Sequence, residues 1–195
     1  MKVCAFGSRL FACLTLAIVC FGNIGFSFAA TAEEKRVEVR KMRTETLGRL
    51  YRAHPAAKQH VQQSAGYAVF SNVGINLIFL SAAGGSGVAH DNKENRDTYM
   101  KMISGGVGIG LGVKDFRGVF VFSNGGAFKK FVSSGWEANA QADAAAKSGT
   151  KGGAVTGAIT VAPGVSLYQL TENGLALQAT IQGTKYYKDD DLNSK

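Results

Sequence analysis

Between Ser104 and Val113 glycine alternates with aliphatic residues, Gly106, Gly108, Gly110 and Gly112 against Val107, Ile109, Leu111 and Val113. Successive side chains of a strand point to opposite faces. The spacing therefore predicts a strand that is bare on one face and apolar on the other. Glycine weakens a strand, and its presence marks a place where something approaches closely. Four in register imply that another sheet, a helix or a flat apolar ligand lies against the bare face. A β-rich binding or packing protein is expected, rather than an enzyme with a polar cleft.

The beginning of the chain reads as an address. Lys2 and Arg9 precede an apolar run from Leu10 to Gly22, and small residues follow at Ser27 and Ala29 or at Ala30 and Ala32. This is the layout of a signal peptide, residues 1–32, with cleavage near 29–32. The run is shorter than the ~20 residues that span a bilayer. An exported protein, periplasmic or secreted, is expected. Cys4, Cys13 and Cys20 all lie in this segment, so residues 33–195 must be held by their own core without a disulfide. They read as a single domain. Removing Lys2 and Arg9 lowers the formal charge from +8 to +6. Outside the cytoplasm that balance suits anionic lipid headgroups or cell-wall polymers better than nucleic acid, while also serving solubility.

From Glu33 to Ala53 the sequence is charged, and Val39, Met42, Thr46, Leu50 and Ala53 recur at helical spacing. Arg36, Arg40 and Arg43 flank this stripe on one side, with Lys41 and Arg52 on the other. His54-Pro55 ends the helix, because the residue before proline avoids the helical region, and a short helix is expected from Ala56 to Ser64. Strands are then expected at 66–70, 75–81, 87–90, 98–103, 107–113 and 118–122, with Asp91 to Asn95 as a polar turn. Asn124 to Ser134 has a helical apolar face, and the alanine-rich stretch from Trp136 to Lys147 continues it. Strand texture returns at 154–162 and 165–170, and Asn173-Gly174 signals a hairpin. Val165–Leu170 is read as a free edge able to pair with a second copy. The expected fold is α+β: mainly antiparallel sheet, sandwich- or half-barrel-like, with an N-terminal amphipathic helix and one or two helices near 124–147.

No catalytic constellation is visible. His54, His60 and His90 do not share a helix face or a metal-ligand spacing, and read as surface or satisfied histidines. There is no Gly-x-Ser-x-Gly elbow and no cysteine nucleophile beyond residue 20. The glycine alternation lacks the spacing and acidic partner of a dinucleotide fingerprint. Asp189-Asp190-Asp191 lacks the ligand spacing of a calcium loop and reads as a solvated acidic turn. No metal, cofactor or enzymatic activity is expected.

Ala65-Gly66-Tyr67-Ala68-Val69-Phe70-Ser71-Asn72-Val73-Gly74 resembles the opening motif of the SYLF domain family. The glycine-alternating strand, Phe120 to Phe131, Ser134-Gly135-Trp136 and Gly174 to Gly183 follow in that family's order. The likeness runs from about Glu33 to Asn193. Ser71 stands where the family often has proline, and Lys185 to Asn193 resembles the ending of bacterial exported members. The resemblance implies lipid binding through a basic amphipathic helix at the start of the domain. Eukaryotic members bind phosphoinositides this way, and some engage actin. Carried to this chain, the lipid-binding candidates are Lys35, Arg36, Arg40, Lys41, Arg43, Arg49 and Arg52. Outside a bacterial cytoplasm the expected partner is anionic phospholipid or lipopolysaccharide.

Two readings follow. In the first the protein binds anionic lipid peripherally in the envelope, through the basic helix or a glycine-lined groove. Changing Arg36, Arg40 and Arg43 together to Glu is then expected to abolish vesicle binding without unfolding. In the second it is a structural module that contacts other envelope proteins with no lipid dependence. A small-molecule carrier or enzyme with its ligand on the glycine face is a third, weaker reading.

Overall fold

Helix α1 (Ala32–Ala53) begins with a capping box: the Thr31 hydroxyl accepts from the Glu34 N–H, and the Glu34 carboxylate accepts from the Thr31 N–H at 2.7 Å. Such a cap contributes about 1 kcal/mol. The helix stops at His54, whose N–H donates to Leu50, and Pro55 leads into α2 (Ala56–Gln63). The computed structural model describes residues 30–72, 82–105, 117–137, 157–171, 174–176 and 183–194. Residues 1–29 of the expected signal peptide, the expected strand 75–81 and residues 106–113 of the glycine alternation lie outside them.

Nine strands are described: β1 (Gly66–Ser71), β2 (Ala82–Asp91), β3 (Arg96–Gly105), β4 (Arg117–Phe122), β5 (Trp136–Glu137), β6 (Ile159–Ala162), β7 (Val165–Thr171), β8 (Gly174–Ala176) and β9 (Thr184–Lys188). They form one antiparallel sheet in the order β5-β9-β3-β2-β1-β4-β7-β6, with β8 also on β7. The protein is α+β, and the sheet is a half-barrel whose described strands do not close. β2 and β3 join through the polar 91–95 turn, where the Asp91 carboxylate accepts the N–H groups of Lys93 and Glu94.

Each face of the sheet has its own cover. Helices α1 and α2 pack on Tyr67, Val69, Val119, Val121, Tyr168 and Leu170. Helix α3 (Gly125–Ser134) packs on the other face, where Phe70, Phe120, Phe122, Phe131 and Tyr186 form an aromatic core. Tyr186 lies 4.7 Å from Phe70 and 5.0 Å from Phe120, centroid to centroid, at the steep angles aromatic pairs prefer. On this face Gly87 and Gly85 make room: a Cβ at Gly87 would overlap the Phe70 ring, and one at Gly85 would meet the Met102 methyl at 2.6 Å. Glycine in a strand does mark close approach here, and the approaching groups belong to the neighbouring strands.

The structure corrects several expectations. The helix from 124 does not run on through Trp136. Gly135 adopts φ +72, beneath the Tyr186 carbonyl, and turns the chain so that Trp136 pairs with Tyr186. The remaining alanine-rich residues lie outside the described set. Val165–Leu170 is not a free edge, since β7 pairs with β4 on one side and with β6 and β8 on the other. The hairpin between β7 and β8 closes at Thr171↔Gly174, which moves its connection one residue earlier than expected, to 172–173, outside the described residues. The acidic run is not simply solvated. Asp189 is buried and caps helix α4 (Asp190–Asn193), accepting from the N–H groups of Asp191 and Leu192.

Candidate functional site

The expected stripe of α1 faces the protein. Val39, Thr46 and Leu50 are buried and Met42 is half-buried against the sheet, while Ala53 is exposed. Burying a side chain such as Leu50 contributes about 1.5–3 kcal/mol. The apolar side of this helix is therefore committed to the fold.

Three of the seven candidate cations are committed as well. Arg36 donates through Nε to the Leu192 carbonyl at 2.9 Å and through Nη2 to the Ser194 carbonyl at 2.7 Å. These are carbonyls of the kind a helix end leaves without an internal partner. Arg40 donates to the Tyr99 hydroxyl at 2.6 Å and to Glu33 at 2.8 Å. Arg40 and then Arg36 hold the Glu33 carboxyl below its usual range. Arg43 donates to Asp97 Oδ1 at 2.6 Å, and His90 Nδ1 lies 2.6 Å from the same oxygen. Arg36, Arg40 and Arg43 stand on one side of α1 at intervals of four and three, and fasten it to β3 and α4. Changing all three to Glu therefore strips the fastenings of α1, and does not test lipid contact alone.

The other four stand differently. Lys35, Lys41 and Arg52 are exposed. Lys41 lies 3.9 Å from Glu45 and is 76% exposed, whereas Lys35 and Arg52 have no ion-pair partner among the described residues. Arg49 is half-buried and engaged within the protein.

Beside the first turns of α1 no described residue covers the sheet. The facing pair Val88–Tyr99 is roofed by Val39 and Leu192. The next pairs on that face are Ser86–Lys101 and Gly84–Ile103. With a small residue and then none on β2, the floor drops into a groove of about 480 Å³ between α1, the strands and α4. That volume is in the range of small-molecule sites. Ile103, 44% exposed, makes its floor apolar, with Val39 and Leu192 beside it. At its rim the Lys101 ammonium lies 2.9 Å from Asp189 and 3.2 Å from Asp191, which raises its pKa. Sequence reasoning named Lys35 but missed Gly84, Lys101, Ile103 and Asp189. The available signal was the alternation of Lys101 and Ile103 across from Ser86 and Gly84.

The histidines are mostly satisfied. His90 shares Asp97, and His60 Nδ1 lies 2.9 Å from the Tyr168 hydroxyl. Burial lowers the His60 pKa and pushes Tyr168 up to about 12. His54 departs from expectation: its Nε2 is buried with no hydrogen-bond partner among the described residues.

The chain is 36% identical, over 162 residues, to Beta cell expansion factor A of Aeromonas veronii. The match takes in 83% of this chain and 60% of that protein, so the chain spans about three fifths of its relative's length. No family model matches.

Proposed function

We propose that this chain is an exported, non-catalytic member of the SYLF domain family that binds anionic lipid peripherally in the bacterial envelope. The ordered motifs and the similarity to the Aeromonas veronii protein support the family. The observation that carries the binding reading is the outer face of α1. There Lys41 and Arg52 project exposed from a helix whose other side is fixed to the domain, and Lys35 stands exposed at the rim of the groove, with residues 33–195 carrying a formal charge of +6. Each such cation near an anionic surface contributes about 1 kcal/mol. Among the described residues no helix is long and apolar enough to cross a membrane. The helix thus acts as a rigid charged surface laid on the headgroups, with no apolar face inserted.

Charge reversal at Lys41 and Arg52 together tests this. Co-flotation with phosphatidylglycerol vesicles is expected to fall to background while the circular dichroism spectrum and thermal midpoint stay near those of the parent protein. Undiminished flotation of the folded variant refutes this face as the lipid site. A stable envelope protein recovered by cross-linking, with no lipid dependence, would instead favour an interaction module.

A further inference from the structure

The groove beside α1 has a different character from the outer face of that helix. We infer that it holds one single-chain amphiphile with a zwitterionic, phosphoammonium head. The proposal goes beyond surface binding, and either can fail without the other.

The floor is apolar where no described residue covers the sheet. Among the described residues Ile103 is one of two large hydrophobic side chains that stand exposed, and it stands inside a concavity with Val39 and Leu192. Burying the equivalent of several methylenes there gains about 0.8 kcal/mol each. The glycine at 84 gives an alkyl chain access to the backbone of β2. The groove's volume of about 480 Å³ suits one chain.

The rim selects the head. Lys101 is neutralised by Asp189 and Asp191 and has no charge left to offer. The groups at the groove with charge to spare are Lys35 and Glu38, one turn apart on α1, and the 87%-exposed Asp191 of α4. Glu38 has no ion-pair partner among the described residues. A wholly anionic head meets Lys35 but is repelled by the two carboxylates, and a wholly cationic head meets the reverse. A phosphate flanked by an ammonium satisfies both signs of charge, the phosphate on Lys35 and the ammonium on Glu38 and Asp191.

Native mass spectrometry of the protein with lysophosphatidylethanolamine, below its micellar concentration, tests this, with lysophosphatidylglycerol of the same chain length as comparison. A saturable one-to-one adduct is expected, about tenfold tighter for the ethanolamine lipid, the equivalent of one charge-assisted contact. Ile103→Lys puts a charge on the floor without touching the core, and is expected to abolish the adduct while leaving flotation on anionic vesicles intact or stronger. Lys35→Glu is expected to weaken the adduct about tenfold. Absence of a saturable adduct, equal binding of the two lipids, preference for the glycerol lipid, or an undiminished adduct in a folded Ile103→Lys variant would each overturn the proposal.

Discussion

Replacing Arg43 with alanine leaves the Asp97 carboxylate with His90 as its one remaining partner among the described contacts. Arg43 and Asp97 side chains are 19% and 21% exposed, and Nη1 lies 2.6 Å from Oδ1. Breaking a fully buried pair costs about 3–5 kcal/mol, and breaking an exposed one costs about 0–1 kcal/mol. Four-fifths burial places this pair between them, and the surviving His90 contact reduces the loss, so about 2 kcal/mol is expected. For an m-value of about 2 kcal/mol/M the urea midpoint falls by about 1 M. Lys41→Ala, at an exposed pair, is the control and should change stability by less than about 0.5 kcal/mol. Hydrogen exchange should quicken in the first half of α1 for Arg43→Ala and not for Lys41→Ala. If Arg43→Ala kept its midpoint and lost vesicle binding, the arginine would be a lipid ligand and its structural role would be refuted.

Gly87→Ala is expected to destabilise by about 2 kcal/mol or more, because its methyl would overlap the Phe70 ring and approach the Val69 carbonyl at 2.6 Å; a midpoint equal to that of the parent in urea would contradict the close approach. His60 has a folded-state pKa below its unfolded value through burial. The unfolded chain therefore binds more protons in that interval, and stability should decline as pH drops below about 6.5 and level off beneath the folded pKa. His60→Gln should flatten this decline between pH 7.5 and pH 5 in urea titrations, and an unchanged slope would count against it.

The elements with strong local signals were legible. The stripe at 39, 42, 46 and 50 lies inward, and the 91–95 turn falls between two strands. What sequence could not resolve was the destination of each charge. Arg36, Arg40 and Arg43 were named as lipid-binding candidates, and their partners lie at Leu192, Tyr99 and Asp97, far along the chain. Such pairings come from topology and leave no local periodicity. Asp189 was hidden for the same reason, since a capping aspartate and a solvated one look alike until a lysine from another strand arrives. Gly135 ended a helix that alanine content favoured, because the demand for left-handed backbone beneath Tyr186 is tertiary. The groove was not legible: the glycine alternation singled out at 106–112 lies outside the described residues, and Gly84 was not named.

The central claim is peripheral, electrostatic attachment to lipid. Its most direct test is co-flotation of the protein lacking residues 1–29 with phosphatidylglycerol and with phosphatidylcholine vesicles, at about 0.05 M and 0.5 M salt, spanning long and short screening lengths. Flotation on the anionic vesicles alone, lost at the higher salt, is the expected result. Flotation on neither, or flotation indifferent to headgroup charge and salt, would contradict the account.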